Sequence, residues 1–206
     1  SVREFEEDKF VMVATERGIV KKTSLMAYSK PRQGGIIGLT IDEGDRVIGA
    51  ELCDGESDIL LATEKGFSIR FSEKEVRPIG RTGRGVRGIR LKKEDRVVGA
   101  EIVQPGNKFL TVTSKGYGKR TRMEEYPVQG RGGLGVMTIR CNKKIGTVVG
   151  VQQVDEADQL LVITSDGNIV RMRVNEISVI GRNTQGVRLV GIGEGNQVVS
   201  IEKLVE

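Results

Sequence analysis

Basic residues recur at similar places along the chain, and their spacing suggests binding chemistry. The stretch from Arg17 to Arg32 holds five basic residues and no acids, and Arg77 to Arg96 holds eight against two acids. Lys, Arg and the backbone N–H groups of glycine-rich loops suit phosphate contacts, which position a nucleic acid without reading its bases. We predict phosphate contacts for Lys21, Lys22, Arg32, Arg70, Arg81, Arg84, Arg87, Lys119, Arg120, Arg122, Arg131, Arg171, Arg173, Arg182 and Arg188.

Acidic residues gather elsewhere, around Asp42–Asp45, Asp54–Asp58 and Asp155–Asp158. A basic stripe that recurs along a curved protein would attract a bent polyanion, and binding would weaken steeply with salt. Any single arginine could instead solvate an exposed strand, but recurrence favours binding. No recognition helix and no aromatic residues interleave the basic runs, so we expect sequence-independent binding of double-stranded DNA.

Catalytic and metal-binding patterns are weak. Histidine is absent, so a Ser–His or Cys–His nucleophile pair is excluded. Gly83–Gly88 matches the dinucleotide pattern G-x-G-x-x-G, but no strand–helix context surrounds it. Asp42–Asp45 lacks the ligand spacing of a calcium loop. Tyr28 and Tyr126 occupy matching places, which favours packing over catalysis, and we predict neither a catalytic residue nor a metal ligand.

An internal repeat must position the basic residues. Thr15–Gly18 recurs as Thr63–Gly66, Thr113–Gly116 and Thr164–Gly167, with the glycines 48, 50 and 51 residues apart. Further markers follow in register: Gly35, Gly85, Gly135 and Gly186, then Val47–Gly49, Val97–Gly99, Val148–Gly150 and Val198–Ser200. This periodicity predicts one domain of four repeats, approximately 10–57, 58–107, 108–157 and 158–206, after a charged lead-in at 1–9.

Each repeat has the pattern of four short strands. The first two flank the glycine turn, the third follows the middle marker, as in Gly135–Arg140, and the fourth begins at the last marker. Short helical turns are predicted near Met123–Tyr126 and Val174–Ile177. Four strands in about 50 residues predict an all-β, propeller-like disc of stacked blades. A β-sandwich is the alternative.

Composition agrees with a globular β protein. Of 206 residues, 37% are hydrophobic and 30% charged, with 28 glycines and a net charge of +5. Cys53 and Cys141 are expected to be reduced. No apolar run reaches the roughly 20 residues that a membrane helix needs. Because the first nine residues are mostly charged, we expect no signal peptide, a cytoplasmic location and no membrane partner.

Three stretches resemble the C-terminal domain of the DNA gyrase A subunit: Arg77–Leu91, Gly116–Thr121 and Ser178–Leu189. The resemblance covers essentially the whole chain. It implies a β-pinwheel, a disc whose blades exchange strands, with DNA wrapped around a basic rim to support negative supercoiling by the full enzyme in the bacterial cytoplasm, near the nucleoid. It further implies two protein partners, the rest of the gyrase A subunit itself and the gyrase B subunit. It implies no cofactor in this domain, since ATP and Mg²⁺ are used elsewhere in such an enzyme.

Members of this family carry a signature heptad, Gln-Arg-Arg-Gly-Gly-Lys-Gly, usually in the first of about six blades. Gln129, Gly130, Arg131, Gly132, Gly133, Leu134 and Gly135 match five of its seven positions, in the third repeat. Gly130 and Leu134 replace two cations, so the resemblance implies a degenerate copy, and the four repeats resemble the last four blades. The related domain of topoisomerase IV and a propeller that binds proteins remain alternatives; a propeller enzyme ranks last.

Overall fold

The computed structural model describes residues 2–204, which form β-strands joined by turns, loops and short 3₁₀ turns. The strands are β1 Phe10–Thr15, β2 Ile19–Ser24, β3 Val47–Cys53, β4 Asp58–Thr63, β5 Phe67–Ser72, β6 Val86–Arg87, β7 Val97–Ile102, β8 Lys108–Thr113, β9 Tyr117–Arg122, β10 Val136–Met137, β11 Val148–Val154, β12 Gln159–Thr164, β13 Ile169–Arg173, β14 Val187–Arg188 and β15 Val198–Leu204. The 3₁₀ turns are Leu25–Tyr28, Glu73–Glu75, Met123–Glu125 and Val174–Glu176. The all-β prediction and both predicted helical turns are confirmed. Between residues 2 and 204 there is no helix with the length and apolarity needed to cross a membrane.

A tight hairpin opens every repeat. The Gly18 N–H donates to the carbonyl of Thr15 at 2.9 Å, and Gly18 has a φ of 80°. Gly66, Gly116 and Gly167 repeat this with φ values of 84°, 77° and 84°. Glycine adopts positive φ without a steric penalty, so the Thr-x-x-Gly spacing closes the same turn four times.

Three of the four sheets contain a strand from the following repeat. Their orders are β3-β1-β2-β6, β10-β5-β4-β7, β11-β8-β9-β14 and β13-β12-β15. β6, β10 and β14 each belong to one repeat in sequence but pair with the second strand of the repeat before it. This arrangement agrees with the pinwheel implied by the family resemblance. The fourth sheet has three strands, and residues 35–37, the matching segment of the first repeat, form no strand.

The third strand is shorter than the sequence predicts. Instead of Gly135–Arg140, the strand covers only Val136–Met137. The N–H groups of Thr138 and Ile139 both point to the carbonyl of Gly66, at 2.8 and 3.3 Å. The chain therefore leaves the ladder after two residues and buries Ile139, which is fully inaccessible to solvent.

The apolar core lies between neighbouring repeats. Val20 of the first repeat is clustered with Leu61 and Ile89 of the second, and two further clusters join the later repeats in the same way. The fourth strands of the repeats, β3, β7, β11 and β15, stack in order. A Cβ on Gly99 would lie 2.2 Å from a methyl carbon of Val151, so glycine lets β7 and β11 approach closely. A single repeat leaves such a face uncovered, which is why repeats of this kind stabilise one another.

Candidate nucleic-acid interface

In the first three repeats, a basic residue in the middle of the second strand makes hydrogen bonds to the next repeat. Lys22, Arg70 and Arg120 share this position in β2, β5 and β9. They donate to carbonyl oxygens in or directly after the 3₁₀ turn of the following repeat, at 2.9, 3.1 and 2.7 Å respectively. The carbonyls of Glu73 and Met123 also accept the hydrogen bond of their own turn, from the N–H groups of Val76 and Tyr126, so the cation adds a second, charge-assisted bond.

Acidic side chains complete these three contacts. Lys22 pairs with Glu73 at 3.4 Å, Arg70 with Asp58 at 2.8 Å, and Arg120 with Glu156 at 2.8 Å. Lys22 and Arg120 are 3% and 4% exposed. These cations were predicted to contact phosphate, but they would have to give up internal bonds to do so. We therefore assign them to joining the repeats.

The residue one step earlier plays a similar part in two repeats. Lys119 is fully buried and donates to the carbonyls of Gly181 and Arg182 at 2.6 and 2.5 Å. The pKa of its ammonium is lowered to about 8, chiefly by burial; the nearby Glu125 opposes this shift and Arg182 adds to it. Lys21 donates likewise to the carbonyl of Arg81, and burial also lowers its pKa. Both ammonium groups are held by carbonyls inside the protein, which argues against the predicted phosphate contacts of these two lysines.

Three loop arginines reach back to the exchanged strand or its equivalent. Arg81 donates to the carbonyl of Ile37, Arg131 to that of Arg87 at 2.6 Å, and Arg182 to that of Met137 at 2.8 Å. All three side chains are half-buried. Each bond therefore joins a glycine-rich loop to the exchanged strand, or its equivalent, of the repeat before it.

The degenerate heptad Gln129–Gly135 is one of these loops. The N–H of Gln129 donates to the carbonyl of Arg70 at 2.8 Å, and the N–H of Gly132 donates to Gly88 at the same distance. Leu134, which stands where the family heptad has lysine, is 50% exposed. The loop is thus fastened to the second repeat and presents an apolar side chain at the position of a cation.

The other predicted residues lie on the surface. Arg84 is loosely paired with Asp42 at 3.7 Å, and its side chain is 82% exposed. Arg188 lies over the ring of Tyr117. Arg171 donates to the side chain of Gln159. The exposed members of the predicted set are Arg32, Arg84, Arg87, Arg122, Arg171, Arg173 and Arg188.

A second set of exposed cations was not predicted as a site. It follows the exchanged strands of the second and third repeats, and we call it the loop cations: Arg90, Lys92, Lys93, Arg140, Lys143 and Lys144. These loops lie against hairpin turns, because Lys65 N–H donates to Asp95 at 3.0 Å and Ser114 N–H to Thr147 at 2.8 Å. The pairs Lys92–Lys93 and Lys143–Lys144, in register with the repeat, were the available sequence signal.

The flanking repeats carry acids in the matching loops. Asp42, Glu43 and Asp45 stand in the first repeat, and Glu194 stands in the fourth, where Asp166 lies in the adjoining hairpin turn. The loop of the second repeat also holds Glu94 and Asp95, but cations outnumber acids there and in the third repeat, so positive charge on these loops is concentrated on the two middle repeats. A polyanion would be attracted there and repelled by the flanks.

The tyrosines and acids offer no assembled catalytic centre within residues 2–204. Tyr126 is 1% exposed, lies 2.7 Å from the hydroxyl of Thr138, and has its pKa raised to about 12 by burial. The prediction that it packs is confirmed. Tyr28, also expected to pack, is half-buried and donates to the carbonyl of Gly38 at 3.0 Å. No group of three or more metal-binding side chains occurs among the described residues.

Comparison with known proteins identifies the repeats. The family model described as "DNA gyrase C-terminal domain, beta-propeller" matches residues 9–54, 57–104, 107–155 and 158–204. The DNA gyrase A subunit of Buchnera aphidicola subsp. Acyrthosiphon pisum is 57% identical over 205 residues, which cover 100% of this chain and 25% of that protein. The corresponding subunit of Escherichia coli (strain K12) is 43% identical over 205 residues, covering 100% and 23%. The chain thus spans about a quarter of the length of these relatives.

Solved structures share the fold. The C-terminal domain of DNA topoisomerase IV superposes with a TM-score of 0.92 at 25% identity, covering 98% of this chain and 64% of that one. The DNA gyrase A C-terminal domain superposes with a TM-score of 0.87 at 24% identity, covering 99% and 68%. Since the family model accounts for all four repeats, the chain belongs to the family of DNA gyrase C-terminal domains.

Proposed function

We propose that this chain binds and bends duplex DNA as the wrapping domain of a gyrase A subunit, without an active site or cofactor of its own. Its partners would be duplex DNA of any sequence, the rest of the gyrase A subunit, and the gyrase B subunit, in the bacterial cytoplasm. Negative supercoiling would be the activity of the full enzyme, to which this domain would contribute the path of the DNA.

The observation that carries the proposal is the placement of exposed cations. The loop cations project from two adjacent repeats, while the matching loops of the outer repeats are acidic. Arg87 and Arg188 add charge on exchanged strands, at the sheet edge opposite the stacked strands β3, β7, β11 and β15. Such contacts would address phosphates rather than base edges, because no helix or aromatic run is available for base readout in the described residues.

The topoisomerase IV reading has one observation in its favour, the TM-score of 0.92 with that domain. The relatives with the strongest sequence identity quoted above are gyrase subunits, at 57% and 43%. We therefore favour gyrase. Introduction of negative supercoils by the full-length enzyme, rather than relaxation alone, is the expected result that separates the two.

The binding test is a salt titration of the 206-residue chain with duplex DNA, comparing wild type with Lys92→Gln/Lys93→Gln/Lys143→Gln. The logarithm of affinity should fall linearly with the logarithm of salt, by about 0.9 for each phosphate neutralised. The triple variant should bind more weakly and show a smaller slope. The control Arg3→Gln/Lys30→Gln/Arg77→Gln removes the same charge from other exposed positions. Equal loss in both variants would reject a defined DNA path, and no binding by wild type would reject the proposed function.

A further inference from the structure

A cleft of about 290 Å³ lies where the third and fourth repeats meet. Lys115 and Tyr117 line it from the third repeat's hairpin, Lys144 from the adjoining loop, and Arg188 from β14. The glycine-rich segment 191–195 closes the remaining side and contributes Glu194. Three cationic side chains and one carboxylate therefore line the cleft, which gives its lining a net positive charge.

The ring of Tyr117 orders two of these cations. The Lys144 ammonium lies 5.7 Å from the ring centroid and the Arg188 guanidinium 5.6 Å from it. Arg188 also donates to the Tyr117 hydroxyl at 3.4 Å. Contact with an aromatic ring holds a cation in place without neutralising its charge. Within residues 2–204, no carboxylate lies at ion-pair distance from any of the three cations, so the charge remains available to a ligand.

The wall formed by residues 191–195 leaves room for a ligand to come close to the backbone. A Cβ on Gly191 or Gly195 would meet no heavy atom within 4 Å, so both glycines border open space. A forked guanidinium beside two ammonium groups matches the oxygens of a phosphate, which accept several charged donors at once.

The matching places in the other repeats lack this combination. Ile19 replaces Tyr117 in the first repeat, and acidic Asp42 and Asp45 stand beside it. The second repeat has Phe67 under Lys92 at 3.6 Å, but the residue paired with Phe67 across the strands is Met137, where the third repeat has Arg188. The cleft is therefore a feature of one junction and not a general property of the fold.

We propose that the Lys115–Tyr117–Lys144–Arg188 cleft is a phosphate-binding subsite that clamps one phosphodiester of the DNA backbone. The identification of DNA as the source of the phosphate rests on the proposed function. The clamp fixes the DNA where it leaves the basic third repeat for the acidic loop of the fourth. Glu194 limits the strength of the clamp by opposing the bound anion.

The first test compares duplex-DNA binding by Lys115→Gln/Lys144→Gln/Arg188→Gln with the Arg3/Lys30/Arg77 control. All these side chains are exposed, so thermal unfolding should be unchanged. We expect the cleft variant to lose roughly tenfold more affinity than the control, and its salt slope to fall by about 0.9, the value of one phosphate. Glu194→Gln should instead strengthen binding. Equal affinities and slopes in the cleft and control variants would overturn the proposal.

The second test uses inorganic phosphate and does not depend on DNA. Titration of the wild-type chain should shift the backbone amide resonances of Tyr117 and residues 191–195, and the cleft variant should lose these shifts. If wild type fails to bind DNA but shows these shifts, the proposed function fails and the cleft remains a phosphate site. Absence of the shifts in a wild-type chain that binds DNA would overturn the clamp alone.

Discussion

The basic residues of this domain fall into two groups: buried ones that bond to the next repeat, and exposed ones that are proposed to bind DNA. Lys22, Lys119 and Arg120 are nearly or fully inaccessible and donate to the following repeat. Lys92 and Lys143 are exposed. A charge change in the first group should alter stability before it alters DNA binding, while a change in the second should do the opposite.

Lys119→Met tests the buried group. The substitution keeps the aliphatic stem but removes the charged donor to the carbonyls of Gly181 and Arg182, which retain only their bonds from Thr184. We expect the free energy of unfolding to fall by about 1.5–3 kcal/mol, the net contribution of a hydrogen bond that involves a charged group. Urea unfolding measures this, and DNA affinity at temperatures where the variant is folded should be close to wild type. Loss of DNA affinity in a fully stable variant would contradict this assignment.

The pH dependence of stability gives a second check on Lys119. Its pKa is about 8 in the native state against 10.5 for the ordinary side chain. Between those values the unfolded chain binds more protons, so stability should rise with pH over that range. The rise should disappear in Lys119→Met, since methionine does not titrate. An identical rise in both proteins would contradict the prediction.

Titration of Glu101 in β7 should change stability with pH in the direction opposite to that of Lys119. Burial, and then the negative charge of Glu51, raise its pKa from 4.5 to about 7. Between these values the native state binds more protons than the unfolded chain, so stability should fall as pH rises through this window. Urea unfolding of wild type and Glu101→Gln across the window measures the difference. The variant should show a flatter profile, and a profile as steep as wild type would refute the assignment.

At the scale of the element, the exchanged strand joins one repeat to the next. Gly135, directly before β10, has a φ of 73°, and a Cβ there would lie 2.1 Å from the carbonyl oxygen of Ser68 in β5. Gly135→Ala should therefore push β10 away from β5 and reduce stability by more than about 1 kcal/mol. Gly34→Ala is the matched control, because its Cβ would meet nothing within 4 Å. Equal unfolding midpoints for the two variants would show that the exchange contributes little.

The sequence predicted the strands that depend on local pattern. The Thr-x-x-Gly turn fixes the hairpins, so β1, β2 and their equivalents could be placed from Gly18 and its repeats. The end of β10 could not be predicted in this way, because Thr138 and Ile139 turn toward the carbonyl of Gly66, which belongs to the preceding repeat. The bonds of Lys22 and Lys119 to the next repeat are long-range in the same sense. The alternation of apolar and polar residues along a strand therefore did not reveal which cations are buried by these contacts between repeats.

At the scale of the whole molecule, charge is distributed unevenly over similar blades. The middle repeats carry the loop cations, and the flanking repeats carry Asp42, Glu43 and Glu194 in the same loops. The basic rim predicted from the repeats assumed equal blades, and that assumption hid this polarity. Smooth bending of 20–30 bp by 40–90° costs on the order of 1–6 kcal/mol, so contacts on more than one repeat must offset it.

Wrapping is the central claim, and DNA topology tests it most directly. A nicked circular DNA is ligated with and without the chain at low salt, and the linking numbers of the closed circles are compared. The account predicts a shift of one sign that grows with protein concentration and is reduced in Lys92→Gln/Lys93→Gln/Lys143→Gln. An unchanged linking number, with binding confirmed on the same DNA, would contradict wrapping by these four repeats.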